Sequence, residues 1–291
     1  MEKFPTFEEA PRRVYISATF ADESAIVRSF GCKKDDINVI SPKTLAGVGR
    51  RMVLEIGAKE ELRTALVEKM IALAKDKKGV VVLEPSFATA EQWEQLGIPT
   101  VKGSEVVQAV NALKVSKLDT PIVFANRYNG IDLPGDACRM LVVSGIPKGM
   151  SDHHKLMSKI LVHSKVYARS IAQNIEQAMG RGTRGSGDYC VVALIGFDLC
   201  EWVNDNRHAV FLTPTTRAQI ECGQGIMNEV KSAKDFVEVI DQGVNDDPDF
   251  AAYLSSYVAD KVNDFEFVDD SMLEDFALCE RKALNEWRKG R

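Results

Sequence analysis

Gln177-Ala-Met-Gly180-Arg181-Gly-Thr-Arg184, with Gly185, Ser186 and Gly187 behind it, is the stretch of this sequence best equipped for chemistry. Two arginines stand three residues apart at the end of a helical pattern, just before the apolar run Tyr189 to Gly196. Arginine presents a fixed fork of donors and keeps its charge when partly desolvated, which suits phosphate oxygens. The glycines clear side chains from the places where a nucleotide, or a partner domain holding one, must come close. Gln177 can read a nearby nucleotide or order a water. A surface loop with two solvated arginines is the competing reading of the same residues.

These side chains need a scaffold, and the sequence outlines one. Gly79-Val-Val-Val-Leu83, Pro121-Ile-Val-Phe-Ala125, Met140-Leu-Val-Val143 and Cys190-Val-Val-Ala-Leu-Ile195 are continuous apolar runs of strand length. Runs of that kind belong to strands buried on both faces of a parallel sheet. Further strands are expected at Arg13–Ala18, Ile37–Ile40 and Arg51–Ile56. Helical patterns separate the runs: Asp22 to Phe30, Lys59 to Lys75 with Leu62, Leu66, Met70 and Leu73 in register, Thr89 to Leu96, Ser104 to Leu113, and one long segment from Ser151 to Met179. The alternation implies an α/β fold, a parallel sheet with helices on both faces. From Pro214 onward the pattern is helical almost to the end. Ligands of such sheets sit at the C-terminal ends of the strands, which places Ser86, the 126–136 loop and Ser144 at that edge. The arginine loop instead precedes its strand.

Composition sets the outer limits. The chain has 291 residues, 45% hydrophobic and 27% charged, as in a water-soluble globular protein with a full core. No apolar run approaches the ~18 residues a membrane span needs, and no signal-peptide core opens the sequence, so a cytoplasmic protein without membrane partners is expected. The net charge of −5 is unevenly spread: Asp241 to Asp275 holds eleven acidic residues against Lys261 alone. The body is nearly neutral and free to present a local basic face. The six cysteines show no C-x-x-C spacing and His153-His154 reads as a polar loop, so no metal site is expected.

Several segments, taken in order, resemble the motifs of superfamily 2 helicases. Asn129-Gly-Ile-Asp-Leu-Pro-Gly-Asp-Ala-Cys-Arg139, followed by Leu141-Val-Val143, resembles motif V, closest to the DinG/XPD branch. Gln177 to Arg184 is similar to motif VI, Gly79 to Phe87 to motif IV, and Ser17-Ala18-Thr19 to the S-A-T of motif III, which couples nucleotide state to strand movement. The resemblance covers residues 13–196 and implies a RecA-like second motor domain carrying a mainly helical C-terminal extension. On it, residues 1–30 are a remnant of the first motor domain, 31–213 the second, and 214–291 the extension.

The resemblance also implies roles. Arg181 and Arg184 would be arginine fingers reaching the γ-phosphate of ATP. Gln177, Gly130, Asp132 and Gly180, with Ser17 and Thr19, would line the nucleotide cleft or couple it to the nucleic-acid track. Ser86, Asn126 and Arg127 would lie near the sugar-phosphate backbone of single-stranded DNA. Phosphoryl transfer needs charge placed around the γ-phosphate more than covalent help, which agrees with the arginines. Two features depart from the family. Asn129 stands where Glu or Gln is usual, and there is no G-x-x-x-x-G-K-[ST] phosphate loop or D-E-x-H box. ATP and Mg²⁺ would then be held mainly by a first motor domain, in cis or as a separate subunit, and this chain alone would be inactive. It would be either a C-terminal piece of a longer helicase or one subunit of a split motor. A non-catalytic nucleic-acid-binding or regulatory module with the same fold is the alternative. A dehydrogenase-like enzyme is disfavoured because no G-x-G-x-x-G follows a first strand.

Overall fold

The computed structural model describes residues 7, 9–16, 24–38, 40, 49–57, 59–127, 130–149, 152–161, 164–183, 185, 187–266 and 271–290. The chain divides into two compact units, Leu45–Phe267 and Met1–Thr44 with Val268–Arg291.

In the smaller unit the helix Ser24–Phe30 packs against the C-terminal helix Ser271–Arg288. Val27 and Ala277 are fully buried, Arg28 Nε meets Glu280 Oε2 at 2.5 Å, and Arg281 Nη1 donates to the Arg28 carbonyl at 3.0 Å. The strand expected over 13–18 does not form among its described residues, 13–16. Val14 and Ile16 face solvent while the Tyr15 ring stacks on Phe30, 4.7 Å between centroids. The alternation is that of a strand, but the neighbour is a helix, so no ladder can form. Residues 37, 38 and 40 are likewise irregular where a strand was expected.

The larger unit contains, in chain order, β1 (Arg50–Gly57), α1 (Glu60–Lys75), β2 (Val80–Glu84), α2 (Phe87–Gln95), β3 (Thr100–Val101), α3 (Glu105–Lys114), β4 (Ile122–Ala125), β5 (Met140–Ser144), α4 (Asp152–Ile160), α5 (Lys165–Met179), β6 (Tyr189–Ile195), α6 (Phe197–Asn204), α7 (Asn206–Ala209), α8 (Pro214–Glu229), α9 (Ala233–Val244) and α10 (Pro248–Lys261). The six strands form one parallel sheet in the order β1-β6-β5-β2-β4-β3. This is the helix-flanked parallel architecture expected of a RecA-like domain, with helices continuing after it. Every residue of β2, β4 and β5 is buried, which is why those strands read as unbroken apolar runs rather than alternations.

Successive residues of each strand feed opposite cores. Val81, Leu83, Phe124, Leu141 and Val192 pack with α3, α5 and α6, whereas Val80, Val82, Val123, Val142 and Val191 pack with α1, α2 and α9. α8 closes the β1 edge and supplies Ile220 to one core and Cys222 to the other. It lies so close that a Cβ on Gly223 would stand 1.6 Å from the Val53 carbonyl oxygen, so only glycine permits the approach. Covering the edge strand this way removes a template for self-pairing. The single helix expected over 151–179 is two helices. The first ends at Ile160, and Ser164 caps α5, its Oγ accepting from Val166 N at 3.2 Å.

Candidate functional site

Parallel strands connected without a crossover α-helix, here with only the 3₁₀ turn Gly135–Cys138 between them, force a long crossing. β4 ends at Ala125 and β5 starts at Met140, so residues 126–139 must run from the C-terminal edge of the sheet back to its N-terminal edge. The expectation that the whole 126–136 loop stays at the C-terminal edge is therefore corrected. Gly79 N donates to Asp136 O at 2.8 Å, and Gly135 N donates to Asp188 Oδ2 at 3.2 Å, both at the N-terminal edge.

α5 runs opposite to the strands and delivers the arginine loop to that same N-terminal edge. A 3₁₀ turn, Gly180–Gly182, follows α5, and Thr183 then turns extended to lead toward β6. Arg181, half-buried, donates from Nη1 to the Ile131 carbonyl at 2.8 Å, tying the turn after α5 to the connection between β4 and β5. Gly130, with φ +86°, supplies the turn that presents this carbonyl. Asp132 is half-exposed, its Oδ2 4.0 Å from Lys114 Nζ. The two loop glycines differ. A Cβ on Gly182 would meet Cys190 Sγ at 2.5 Å, whereas one on Gly180 would meet nothing within 4 Å. Gly182 is a packing glycine and Gly180 leaves open space. Gln177 is half-buried on α5. The structure thus brings Gln177, Gly180, Arg181, Gly130 and Asp132 into one neighbourhood. Arg184, Asn129, Ser17 and Thr19 lie outside the described residues.

A polar brace surrounds that neighbourhood. Arg139 Nη1 meets Asp188 Oδ1 at 3.0 Å and donates to the Tyr189 carbonyl at 2.9 Å, Nε reaches Asp136 Oδ1 at 2.8 Å, and the guanidinium lies 3.8 Å above the Tyr189 ring. Burial works against the Arg139 charge, but the Asp136 hydrogen bond and the neighbouring Tyr189, Asp136 and Asp188 outweigh it and raise the pKa. Gly79 is backed so tightly onto Ala137 that a Cβ would stand 2.1 Å from its carbonyl oxygen. Cys138 and Cys190 are buried here, and the Cys138 thiol is pushed well up, first by its hydrogen bond with Cys190 and then by burial. All six cysteines are free thiols.

A second network ties the C-terminal helices to α5. Buried Arg51 donates from Nε to Gln219 Oε1 at 2.9 Å and from Nη2 to Thr216 Oγ1 at 3.0 Å. Thr216 Oγ1 donates to Glu176 Oε2 at 2.7 Å, and Thr213 N donates to Glu176 Oε1 at 2.8 Å. Burial lowers the Arg51 pKa, while the Glu176 charge pulls it back up. Glu176 precedes Gln177, so the start of α8 is fastened to the helix that carries the arginine loop. The sequence signal was a charged residue at the start of an apolar run, Arg51 in β1; it does not reveal the partners.

The other candidates sit at the C-terminal edge, roughly 15–20 Å away by strand length. Ser86 caps α2 through a capping box: its Oγ accepts from Thr89 N at 3.1 Å, and Thr89 Oγ1 accepts from Ser86 N at 3.3 Å. Asn126 has φ +55° and donates from N to the Glu84 carbonyl at 2.8 Å, and Arg127 beyond it is exposed. The Glu84 carboxylate is buried beneath them, Oε1 accepting from Trp93 Nε1 at 2.5 Å and Gln92 Nε2 at 3.1 Å.

Among the described residues no three or more His, Cys, Asp or Glu side chains gather as metal ligands, and no helix is long and apolar enough to cross a membrane. Residues 70–196 match the family model described as helicase C-terminal domain. That segment holds β2 to β6 and the neighbourhood just described, and it is similar to a helicase C-terminal domain, the class expected from the motifs. Two similar solved structures bear the titles XPD_APO and XPD_Helicase. The first is 17% identical over 52% of this chain and 36% of its own, with a TM-score of 0.37. The second is 17% identical over 53% and 33%, with a TM-score of 0.36. This chain thus spans about a third of the length of those structures. No curated protein matches the sequence.

Proposed function

We propose that this chain acts as the second motor domain of an ATP-dependent DNA helicase or translocase of the DinG/XPD branch. The observation that carries the reading is the hydrogen bond from Arg181 to the Ile131 carbonyl, which couples the motif VI turn to the motif V crossing. Arg181 and Arg184 act on the γ-phosphate of ATP held by a first motor domain, where Mg²⁺ also resides. Gln177, Gly130, Asp132 and Gly180 line that cleft, and Ser17 and Thr19 take part in coupling. The motif V crossing spans the sheet from one edge to the other, so a displacement at the arginine end has a covalent route to Asn126 and Arg127. Those two, with Ser86, contact the backbone of single-stranded DNA. Exposed charge and backbone donors at strand ends suit phosphodiester oxygens.

Alone, the chain should release phosphate from ATP at less than ~0.1 s⁻¹, far below the enzyme range of ~1–10³ s⁻¹. In a motor completed with a phosphate-loop domain, Arg181→Ala or Arg184→Ala should lower hydrolysis by about 10³-fold or more. DNA binding without nucleotide should hardly change. Collapse of DNA affinity with surviving hydrolysis would reverse the assignment and make the arginines track residues.

A further inference from the structure

The strand order sets an alternation along the C-terminal edge that no single segment displays. Reading across β6, β5, β2 and β4, the first large or charged exposed residue beyond each strand is Phe197, Lys148, Phe87 and Arg127. Two rings therefore alternate with two cations. Phe197 is 71% exposed and Phe87 is 49% exposed, although each opens a helix whose later turns are buried.

Both rings are held by fixed backbone. Gly196, with φ +99°, makes the turn from β6 into α6, and a Cβ there would meet Gly145 N at 3.1 Å. Gly145 N in turn donates to the Ile195 carbonyl at 2.9 Å, and a Cβ on Gly145 would lie 3.7 Å from Pro85 Cγ. The ends of β6, β5 and β2 are thus in contact, and the capping box sets the start of the helix bearing Phe87. With one strand between them, the ends of β6 and β2 are roughly 10 Å apart. Asp198, next to Phe197, already accepts from Leu199 N at 2.9 Å and Ile146 N at 3.5 Å.

We infer that Phe197 and Phe87 are stacking platforms for the bases of a single nucleic-acid strand laid across this edge, with Lys148 and Arg127 on the phosphates between them. This rests on the nucleic-acid reading above and deepens it. An aromatic face accepts any base, so the strand would be gripped without regard to sequence, while the cations follow its backbone. A protein partner would also cover exposed rings. The interleaved cations favour a polyanion with a ring at each repeat.

The test uses the whole chain and fluorescence anisotropy with a labelled oligothymidylate and a strand of equal length made of abasic sugars. Phe197→Ala and Phe87→Ala should each weaken binding to the normal strand by roughly 5- to 50-fold and leave the abasic strand unchanged. Phe197→Trp should keep the affinity, and its added indole fluorescence should be quenched by the normal strand. Lys148→Ala and Arg127→Ala should weaken both strands and flatten the salt dependence. Equal affinity of the wild-type chain for the two strands, or Phe197→Ala without effect, overturns stacking while the phosphate track survives, and would assign the rings to a protein surface. Failure of the wild-type chain to bind either strand removes the nucleic-acid reading and the stacking with it.

Discussion

At the N-terminal edge of the sheet Arg139 and Asp188 are 11% and 12% exposed at their side chains and locked to each other, whereas at the opposite edge Arg127 and Phe197 face solvent. Both edges lie on the same strands. The first is braced by side chains from the loops before β5 and β6 and by glycines, Gly79 and Gly182, that admit no Cβ. The second is set by backbone turns at Asn126, Gly145 and Gly196 and by a helix cap, so its side chains stay available. The motor role proposed above would need both. An arginine aimed at a phosphate held elsewhere must not wander, because electrostatic stabilisation depends on donors already in place, while a track must leave its contacts open.

The contrast is sharpest for charge. Arg139→Ala removes the cation from a largely covered Asp188 that keeps its donors from Gly135 N and Tyr189 N, and should cost about 1–3 kcal/mol, read as a lower urea midpoint. A loss below ~1 kcal/mol would mean that the brace behaves like an ordinary surface pair. At the other edge Ser86 separates structure from binding. Ser86→Ala removes the cap and should cost ~1 kcal/mol, whereas Ser86→Asp keeps a competent cap and stability within about 0.5 kcal/mol. The added carboxylate should nonetheless weaken single-stranded DNA binding, since it repels phosphate. Unchanged affinity in Ser86→Asp would remove this residue from the track and leave it purely a cap.

The smallest effect concerns an exposed pair near the end of α6. Asp205 caps α7 and is bonded by Arg207, first through the side chain and then through the backbone, which pulls its pKa from 3.8 down to about 2. A depressed carboxylate contributes its stability fully above the unfolded pKa and loses it as pH falls through the folded one. The contribution is thus intact above pH 3.8 and fades toward pH 2. Carboxyl NMR titration should place the midpoint near 2, and Arg207→Ala should return it toward 3.8. A wild-type midpoint near 3.8 would mean that the Arg207 bonds do not persist in solution.

Much of the sheet was legible because burial on both faces leaves a continuous apolar run, as at Val80–Glu84 and Met140–Ser144. β3, two residues long, is too short to show one. Val14, Tyr15 and Ile16 gave the opposite error, since alternation records which side chains are covered and not whether a neighbouring strand exists. The boundary between α4 and α5 was hidden because the pattern runs on through it, and only the Ser164 cap marks the break.

For the candidate site, the residue types at Gln177, Gly180 and Arg181, and the turn glycine at Gly130, were fixed by the sequence itself, because phosphate chemistry and positive φ each demand particular side chains. Which edge of the sheet they occupy was decided only by the tertiary structure. The connection from β4 to β5 carries no strand-length helix, so it has to traverse the sheet, and α5 has to run against the strands to return the chain for β6. The same holds for Arg139 with Asp188, 49 residues apart, and for the alternation of Phe197, Lys148, Phe87 and Arg127. Chain order separates these residues, and the order of parallel strands in the sheet, set by packing both faces, is what makes them neighbours.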